Sequence, residues 1–244
     1  MPDSDQNSGA GLTARNLVAW DKLYASTPEL VWGRAAAGFL PEFVTETCGD
    51  ARRFRHALDA ATGEGRNLAF LTTRAEAVTG CDGSAEALAK FSANESPAIQ
   101  LVCAALDRLP FADDSFDFIL LCDTVETLPD PVPVLRELRR VAAPGARLVC
   151  NIPPPEGDVA GEDMAPAGED GFFYQDRYYY RFFEAAAAAA LLKRGGWRVL
   201  QEREMEWVEP AHPGFRAHDH THRSNVFLAE PDSGEVESGT TAHD

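Results

Sequence analysis

The sequence predicts an α/β protein with a mostly parallel sheet and helices on both faces. From Arg55 onward, short apolar runs alternate with segments of helical periodicity. Two of these runs end in an acid followed by a turn, at Asp59 and at Asp82. Strands that alternate with helices are typical of a doubly wound parallel sheet, whose ligands bind at the carboxyl ends of the strands.

The individual elements follow from the same periodicity. Strands are predicted at 56–60, 77–81, 99–103, 117–122 and 146–151, and helices at 65–73, 84–92 and 131–142. Ser84 is a suitable N-cap for the second helix, and Pro144-Gly145 ends the third. An alanine-rich helix at 184–194 precedes two last strands, at Trp197–Leu200 and Ser224–Ala229.

Composition divides the chain into a core and its flanks. Residues 1–12 and 231–244 are polar and acidic and are predicted to be disordered tails. Residues 13–50 are predicted to form a helical cap rich in aromatic residues, and 51–230 the main domain. Within that domain, 153–171 is rich in Pro, Gly and acidic residues and is predicted to be a mobile loop.

Charge and cysteine usage limit the function classes. The net charge is −17, from 22 basic and 39 acidic residues, which argues against a nonspecific grip on nucleic acid. This balance is compatible with a high-salt cytoplasm or with compositional bias alone. Five scattered cysteines without a CxxC pair favour small buried side chains in a reducing compartment. With no secretory pattern and no long apolar run, the predicted location is cytoplasmic, without a membrane span.

The stretch Leu58–Leu68 is the strongest candidate ligand site. Small residues fall at every second position after Asp59, at Ala61, Gly63 and Gly65, just before a helical pattern. Such a turn either lets a ligand lie on backbone N–H groups or simply packs a helix tightly on a strand. Asp82, at the end of the next strand, favours the ligand-binding alternative because a carboxylate there can bind ribose hydroxyls.

These residues resemble the class I S-adenosylmethionine-dependent methyltransferases, whose first motif reads acid-x-Gly-x-Gly-x-Gly. The resemblance continues through Leu109–Asp117, Phe118–Leu121 and Leu135–Val149, and so spans roughly residues 55–152. It is strongest to the type-11 group, with features of the tellurite-resistance and thiopurine-type methyltransferases at the N-terminus. It implies a Rossmann-like seven-stranded sheet, a final antiparallel hairpin, an N-terminal helical cap and S-adenosyl-L-methionine as cofactor.

The resemblance also implies which residues bind the cofactor. They are Asp59, Ala61, Gly63, Gly65, Asp82, Leu106 and Asp123. Three positions depart from the family's pattern. Ala61 replaces a glycine, which is tolerable if its φ stays negative. Ala105 stands where an acid often holds the adenine amino group, and Thr127 stands where Glu-His is frequent.

The acceptor side is less defined. His218, His220 and His222 alternate, so in a strand they would share a face and are candidate catalytic bases. Two alternatives exist for these histidines: they bind a metal ion, or they form hydrogen bonds that stabilise the last hairpin. No metal ligand is assigned. Tyr179, Arg181 and Trp207 are candidate substrate contacts, with packing as the alternative.

The predicted function is methyl transfer to an O, S or N atom of a small-molecule acceptor, without nucleic acid as a partner. Two alternatives stay open, a tRNA-modifying methyltransferase and a non-catalytic S-adenosylmethionine-binding protein. Transfer from an activated sulfonium needs mainly alignment, so the lack of a Ser-His-Asp set excludes nothing. A general base is required only when the acceptor must lose a proton.

Overall fold

The computed structural model describes residues 9–91, 98–156, 164–167 and 171–233. Most of the predicted tails and most of the predicted loop at 153–171 lie outside these ranges. The described part of that loop includes a short strand at 164–166. The first helix begins at Gly9, inside the stretch predicted to be a tail.

A seven-stranded sheet forms the centre of the molecule, in the order β3-β2-β1-β4-β5-β10-β9. Its strands are β1 (Phe54–Ala60), β2 (Ala75–Asp82), β3 (Ile99–Cys103), β4 (Phe116–Leu121), β5 (Ala142–Ile152), β9 (Trp197–Glu209) and β10 (His220–Pro231). The first five pair in parallel, and β10 pairs antiparallel with both β5 and β9. This architecture confirms the predicted fold class, with the antiparallel hairpin at one edge.

Six α-helices and a small second sheet complete the fold in the part of the chain that the structure describes. The helices are α1 (Gly9–Ser26), α2 (Leu40–Cys48), α3 (Leu68–Arg74), α4 (Ala85–Ala89), α5 (Val132–Val141) and α6 (Ala185–Arg194). The small sheet contains β6 (Met164–Pro166), β7 (Phe172–Tyr174) and β8 (Tyr178–Tyr180). The main sheet is covered on both faces, because two separate clusters of buried apolar side chains pack against it.

Several boundaries differ from the prediction for local reasons. The helix expected at 65–73 begins only at Leu68, because Gly63 and Gly65 adopt φ values of +55° and +86° and extend the turn. Ser84 caps α4 as expected, accepting a hydrogen bond from the Ala87 N–H at 3.1 Å. The hairpin strands are longer than predicted, since the charged run at 201–206 continues β9 along the exposed sheet edge.

The strand order determines where a ligand-binding crevice lies. It reverses between β1 and β4, so helices leave the sheet in opposite directions there and open a crevice at the carboxyl ends of the strands. Asp82 ends β2, and Asp123 follows β4 by two residues. Among the described residues, no helix is long and apolar enough to cross a membrane.

Candidate active site

One cavity of about 530 Å³ lies at this crevice, between the sheet edge, α1 and the β9–β10 hairpin. Its volume is within the usual range for small-molecule sites. Five of the predicted cofactor residues line it: Ala61, Gly63, Asp82, Leu106 and Asp123. The remaining two, Asp59 and Gly65, lie outside its wall.

The glycine-rich turn is held in a left-handed conformation. Ala61 has a φ of +59°, so the condition of a negative φ, under which the alanine would be tolerated without strain, is not met. At Gly63, a Cβ atom would lie 3.2 Å from the Tyr24 hydroxyl, which shows how closely α1 covers the turn. At Gly65, a Cβ atom would meet the Phe91 ring at 2.6 Å, so this glycine serves packing behind the turn.

Asp59 stabilises the glycine-rich turn through a hydrogen bond. Its carboxylate is buried, and Oδ2 accepts a hydrogen bond from the Thr62 hydroxyl at 2.7 Å. Burial raises the pKa of Asp59 to about 7, with the Thr62 hydrogen bond opposing this effect and the Asp82 charge adding to it. The side chain therefore shapes the turn without reaching the cavity.

Asp82 joins the turn to the end of β2. Its Oδ2 accepts a hydrogen bond from the Gly63 N–H at 2.8 Å, and its Oδ1 accepts one from the Ser84 N–H at 2.8 Å. Burial raises the pKa of Asp82, although these N–H groups oppose it. Each carboxylate oxygen can accept a further hydrogen bond, so the group can still bind a ligand's hydroxyls.

Asp123 marks the cavity wall at β4. Asn151 donates to Oδ1 at 2.6 Å and accepts from the Asp123 backbone N–H at 2.9 Å. Burial tends to raise the pKa of this carboxyl, but the His222 imidazole, the Asn151 amide and the Arg66 guanidinium outweigh it and hold the pKa below its usual value. Asp123 is therefore charged at neutral pH.

The structure places two of the three predicted histidines in the cavity wall. His220 and His222 share a face of β10 and line the cavity, as their alternation predicts. His218 lies before β10 begins, is exposed and is not in the cavity wall, so its predicted place on that face is wrong. Its place is taken by His212, which is 2% exposed and lines the cavity.

A short turn brings His212 into the site. His212 and Arg216 form a β-bridge, with backbone hydrogen bonds of 2.7 Å and 2.8 Å, which folds residues 212–216 back toward β10. Burial and the neighbouring His220 imidazole lower the pKa of His212 to about 4, so this ring is neutral at pH 7. The concentration of histidines in 207–223 was the available signal, but alternation alone could not reveal this fold-back.

The three predicted substrate contacts lie outside the cavity wall. Tyr179 is buried in a small cluster with Leu12 and Phe173, and the Arg181 guanidinium lies 5.1 Å from the Phe183 ring centroid. The Trp207 ring stacks on His222 at a centroid distance of 5.0 Å. Trp207 therefore supports a cavity residue from behind.

Aromatic residues that the sequence analysis did not assign as substrate contacts also line the cavity. Trp20 and Trp32 pack around Phe215 with ring centroids 5.6 Å and 5.2 Å from it, and Tyr180 lines the same cavity. The Trp32 indole N–H donates to the Tyr24 hydroxyl at 2.9 Å. This wall can hold a flat apolar ring through stacking contacts.

Comparison with known proteins shows which proteins the chain is similar to. Residues 58–150 match the family model described as a methyltransferase domain. A demethylmenaquinone methyltransferase of Beutenbergia cavernae is 30% identical over 150 residues, which is 60% of this chain and 58% of that protein. One from Bacillus velezensis is 46% identical over 52 residues, covering 21% of this chain and 22% of the relative. The chain thus spans well under two thirds of the length of these relatives.

Solved structures show the same fold. The 1,6-didemethyltoxoflavin-N1-methyltransferase of Burkholderia thailandensis superposes with a TM-score of 0.67 at 18% identity, covering 92% of this chain and 90% of that one. An S-adenosylmethionine-dependent methyltransferase of Methanosarcina mazei gives a TM-score of 0.63 at 17% identity, covering 81% of this chain and 98% of that one. Residues 58–150 therefore match a methyltransferase domain model, and the fold is that of solved S-adenosylmethionine-dependent methyltransferases.

Proposed function

We propose that this chain binds S-adenosyl-L-methionine in the cavity and transfers its methyl group to an O, S or N atom of a small-molecule acceptor. The observation that carries the proposal is a single cavity of about 530 Å³ with two chemically different halves. One half contains the glycine-rich turn and acids, and the other contains aromatic rings and imidazoles.

The residues of the first half suit the cofactor. Gly63 lines the cavity without adding a side chain of its own, and Asp82 offers acceptors for two ribose hydroxyls. Ala105 supplies no acid for the adenine amino group, but the exposed Asp107 carboxylate lines the cavity two residues later and can accept that hydrogen bond. Ala61 already adopts the left-handed conformation usually reserved for glycine.

The chain's own groups would mainly align the reactants. When bound, S-adenosylmethionine supplies a methyl group on a positively charged sulfonium. The charged Asp123 carboxylate in the wall favours a cation in this cavity. If the acceptor must lose a proton, the imidazoles of His220 and His222 are within the same cavity to accept it.

A small flat acceptor fits the second half best. Trp20, Trp32 and Phe215 offer ring faces and edges, which bind planar molecules through stacking. The similar proteins named above act on demethylmenaquinone and 1,6-didemethyltoxoflavin according to their names. The net charge of −17 opposes binding of tRNA, whose backbone carries the same sign.

Calorimetric titration with S-adenosylhomocysteine tests the cofactor half. Asp82→Ala removes a charged acceptor of hydrogen bonds worth roughly 1.5–3 kcal/mol each, so we expect affinity to fall at least about tenfold. Asp50→Ala is the matched control, because the Asp50 side chain is 91% exposed on the protein surface. Equal affinities in the Asp82 variant and in the control would contradict the assignment.

A transfer screen tests the acceptor half. Methyl-labelled cofactor would be offered with thiols, tellurite, quinone precursors, phenols and tRNA. We expect labelling of a planar small molecule. Labelling of tRNA alone would overturn the proposal, and cofactor binding without any transfer would favour a non-catalytic role.

A further inference from the structure

We propose that His212, His220 and His222 form a binding site for a divalent transition-metal ion such as Zn²⁺. One potential ligand nitrogen of each imidazole lies within 4.8 Å of the other two. Tetrahedral coordination at about 2.0–2.1 Å places ligand nitrogens about 3.4 Å apart, so small side-chain rotations would close the set around an ion. His220 and His222 are only half-buried, which leaves room for that adjustment.

A strand and a turn bring the three imidazole rings together. His220 and His222 are two residues apart on β10, and their ring centroids are 5.0 Å apart. The turn closed by the His212–Arg216 bridge delivers His212 from the other side, with its centroid 5.0 Å from that of His220. The cluster therefore depends on tertiary structure and would not exist in the unfolded chain.

Two hydrogen bonds indicate the tautomer of two of the rings. Nδ1 of His212 lies 3.2 Å from the Val31 carbonyl oxygen, and Nδ1 of His220 lies 3.2 Å from the His218 carbonyl oxygen. Because a carbonyl oxygen only accepts hydrogen bonds, each Nδ1 carries the proton in these contacts and each Nε2 keeps its lone pair. Metal-bound histidines in proteins are commonly held in this way by a carbonyl behind the ring.

The buried nitrogen of His212 is the second sign of a ligand. His212 is 2% exposed, and its Nε2 has no hydrogen-bond partner among the residues that the structure describes. A buried polar atom without a partner is unfavourable, typically by about 1–3 kcal/mol. A metal ion bound by the cluster would supply the missing partner.

The surroundings tolerate a cation. Arg66, whose charge acts on His212, is paired with Glu209 at 2.7 Å, and both groups are largely buried. The Asp123 carboxylate interacts electrostatically with His222 and provides a balancing negative charge. Three imidazoles are ligands that Zn²⁺ and similar ions prefer over Mg²⁺ or Ca²⁺.

All three histidines line the cavity, so a fourth coordination position would face its acceptor half. Three protein ligands with one open position is the pattern of catalytic zinc sites. An ion there would bind the acceptor's oxygen or sulfur and lower the pKa of its proton. This role rests on the proposed methyl transfer, whereas metal binding itself does not.

The test uses the full chain without an affinity tag, freed of metal by a chelator and titrated with Zn²⁺ in a calorimeter. Co²⁺ serves as a second probe, because tetrahedral Co²⁺ has strong visible absorption. We expect one ion per chain, and a loss of affinity of at least about 100-fold in His220→Ala and in His222→Ala. His218→Ala is the matched control and should bind as the unmodified chain does.

Two outcomes would overturn the proposal: absence of stoichiometric binding, or equal weakening by His218→Ala and His220→Ala. His212→Gln is added with a circular dichroism spectrum, since this ring is buried. If it folds and still binds Zn²⁺ fully, the three-histidine site is wrong. Titration with S-adenosylhomocysteine in the same samples separates a failure of metal binding from a failure of the cofactor site.

Discussion

Burial in the fold changes the pKa of Asp59 and thereby its protonation state. The carboxyl group is 1% exposed, and Oδ1 has no hydrogen-bond partner among the described residues. Burial raises its pKa from the ordinary 3.8 to about 7, mainly because the charged form loses hydration. The Asp82 carboxylate nearby adds to this effect, and the Arg66 guanidinium opposes it.

This pKa shift predicts a pH dependence of stability. Between pH values of about 4 and 7 the folded chain holds a proton on Asp59 that the unfolded chain has released, so the free energy of unfolding falls as pH rises through this window. Asp59→Asn should remove this contribution, and stability relative to the unmodified chain should therefore improve toward pH 7. Urea denaturation at several pH values measures both slopes, with Glu76→Gln as the exposed control. Parallel curves for the unmodified chain and Asp59→Asn would contradict the assignment.

At the scale of residues, the sequence predicted the strand-end acids well and the histidines only in part. Asp82 and Asp123 line the cavity because strand ends in a parallel sheet meet at one edge, a rule that needs no three-dimensional information. His212 was missed because its position depends on a turn that folds back onto β10. The sequence left the sign of φ at Ala61 open, and the structure places this residue at +59° in the turn.

Among the elements, α1 has the clearest link to the site. Asn16 on this helix is buried, donates to the Thr127 carbonyl oxygen at 2.8 Å and accepts from the Tyr179 N–H at 2.9 Å. One amide therefore connects α1 with the turn after β4 and with β8. On the other side, the Ser84 hydroxyl at the N-cap of α4 donates to Asp21 on α1 at 2.7 Å.

Asn16→Ala should destabilise the protein by roughly 1–3 kcal/mol, because it removes two hydrogen bonds, one to the partly buried Thr127 carbonyl oxygen and one from the buried Tyr179 N–H. Lys22→Ala, on the exposed face of the same helix, should change stability by less than about 0.5 kcal/mol. Chemical denaturation of both variants measures the difference. If the two variants are equally stable, the Asn16 contacts do not anchor the helix.

Element boundaries were predicted less well than element types. The alanine-rich helix and the first five strands were found within a few residues of their predicted positions, because their apolar periodicity is regular. Strands β9 and β10 extend well past their predicted ends, since exposed edge strands can be rich in charge. The small sheet of β6, β7 and β8 was not predicted, because strands of three residues carry little pattern.

The whole molecule is dominated by negative charge. Its sequence pI is about 4.7, and 39 acidic residues face 22 basic ones. Exposed ion pairs such as Arg203–Glu46 and Arg223–Glu204 offset only a small part of the repulsion, since such pairs contribute about 0–1 kcal/mol. The folded state holds like charges closer together than the unfolded state does.

Salt should therefore stabilise the fold at neutral pH. Raising the ionic strength from about 0.01 M to about 1 M shortens the screening length from about 30 Å to about 3 Å, so Tm should rise in NaCl. The same titration near the pI of about 4.7 is the control, because the net charge there is close to zero. Thermal denaturation gives both series. A Tm that falls with salt at neutral pH would mean that favourable ion pairs outweigh the repulsion.

Fold class was the most predictable property of the whole molecule, because strand–helix alternation and the parallel-sheet rule act on many residues at once. The cavity was not predictable in the same way. Its acceptor half combines α1, the turn at 212–216 and β10, which are far apart in sequence. Such a combination depends on packing between distant segments, for which a single sequence carries no periodic signal.

The hydrogen bond between the Gly63 N–H and Asp82 has a thermodynamic consequence. It connects the glycine-rich turn to the second strand before any ligand arrives, so the loss of backbone entropy in the turn accompanies folding and not binding. A ligand that enters here meets a turn that is already ordered. The heat capacity change of association should then reflect the apolar area that the ligand covers, without the larger contribution that accompanies coupled folding.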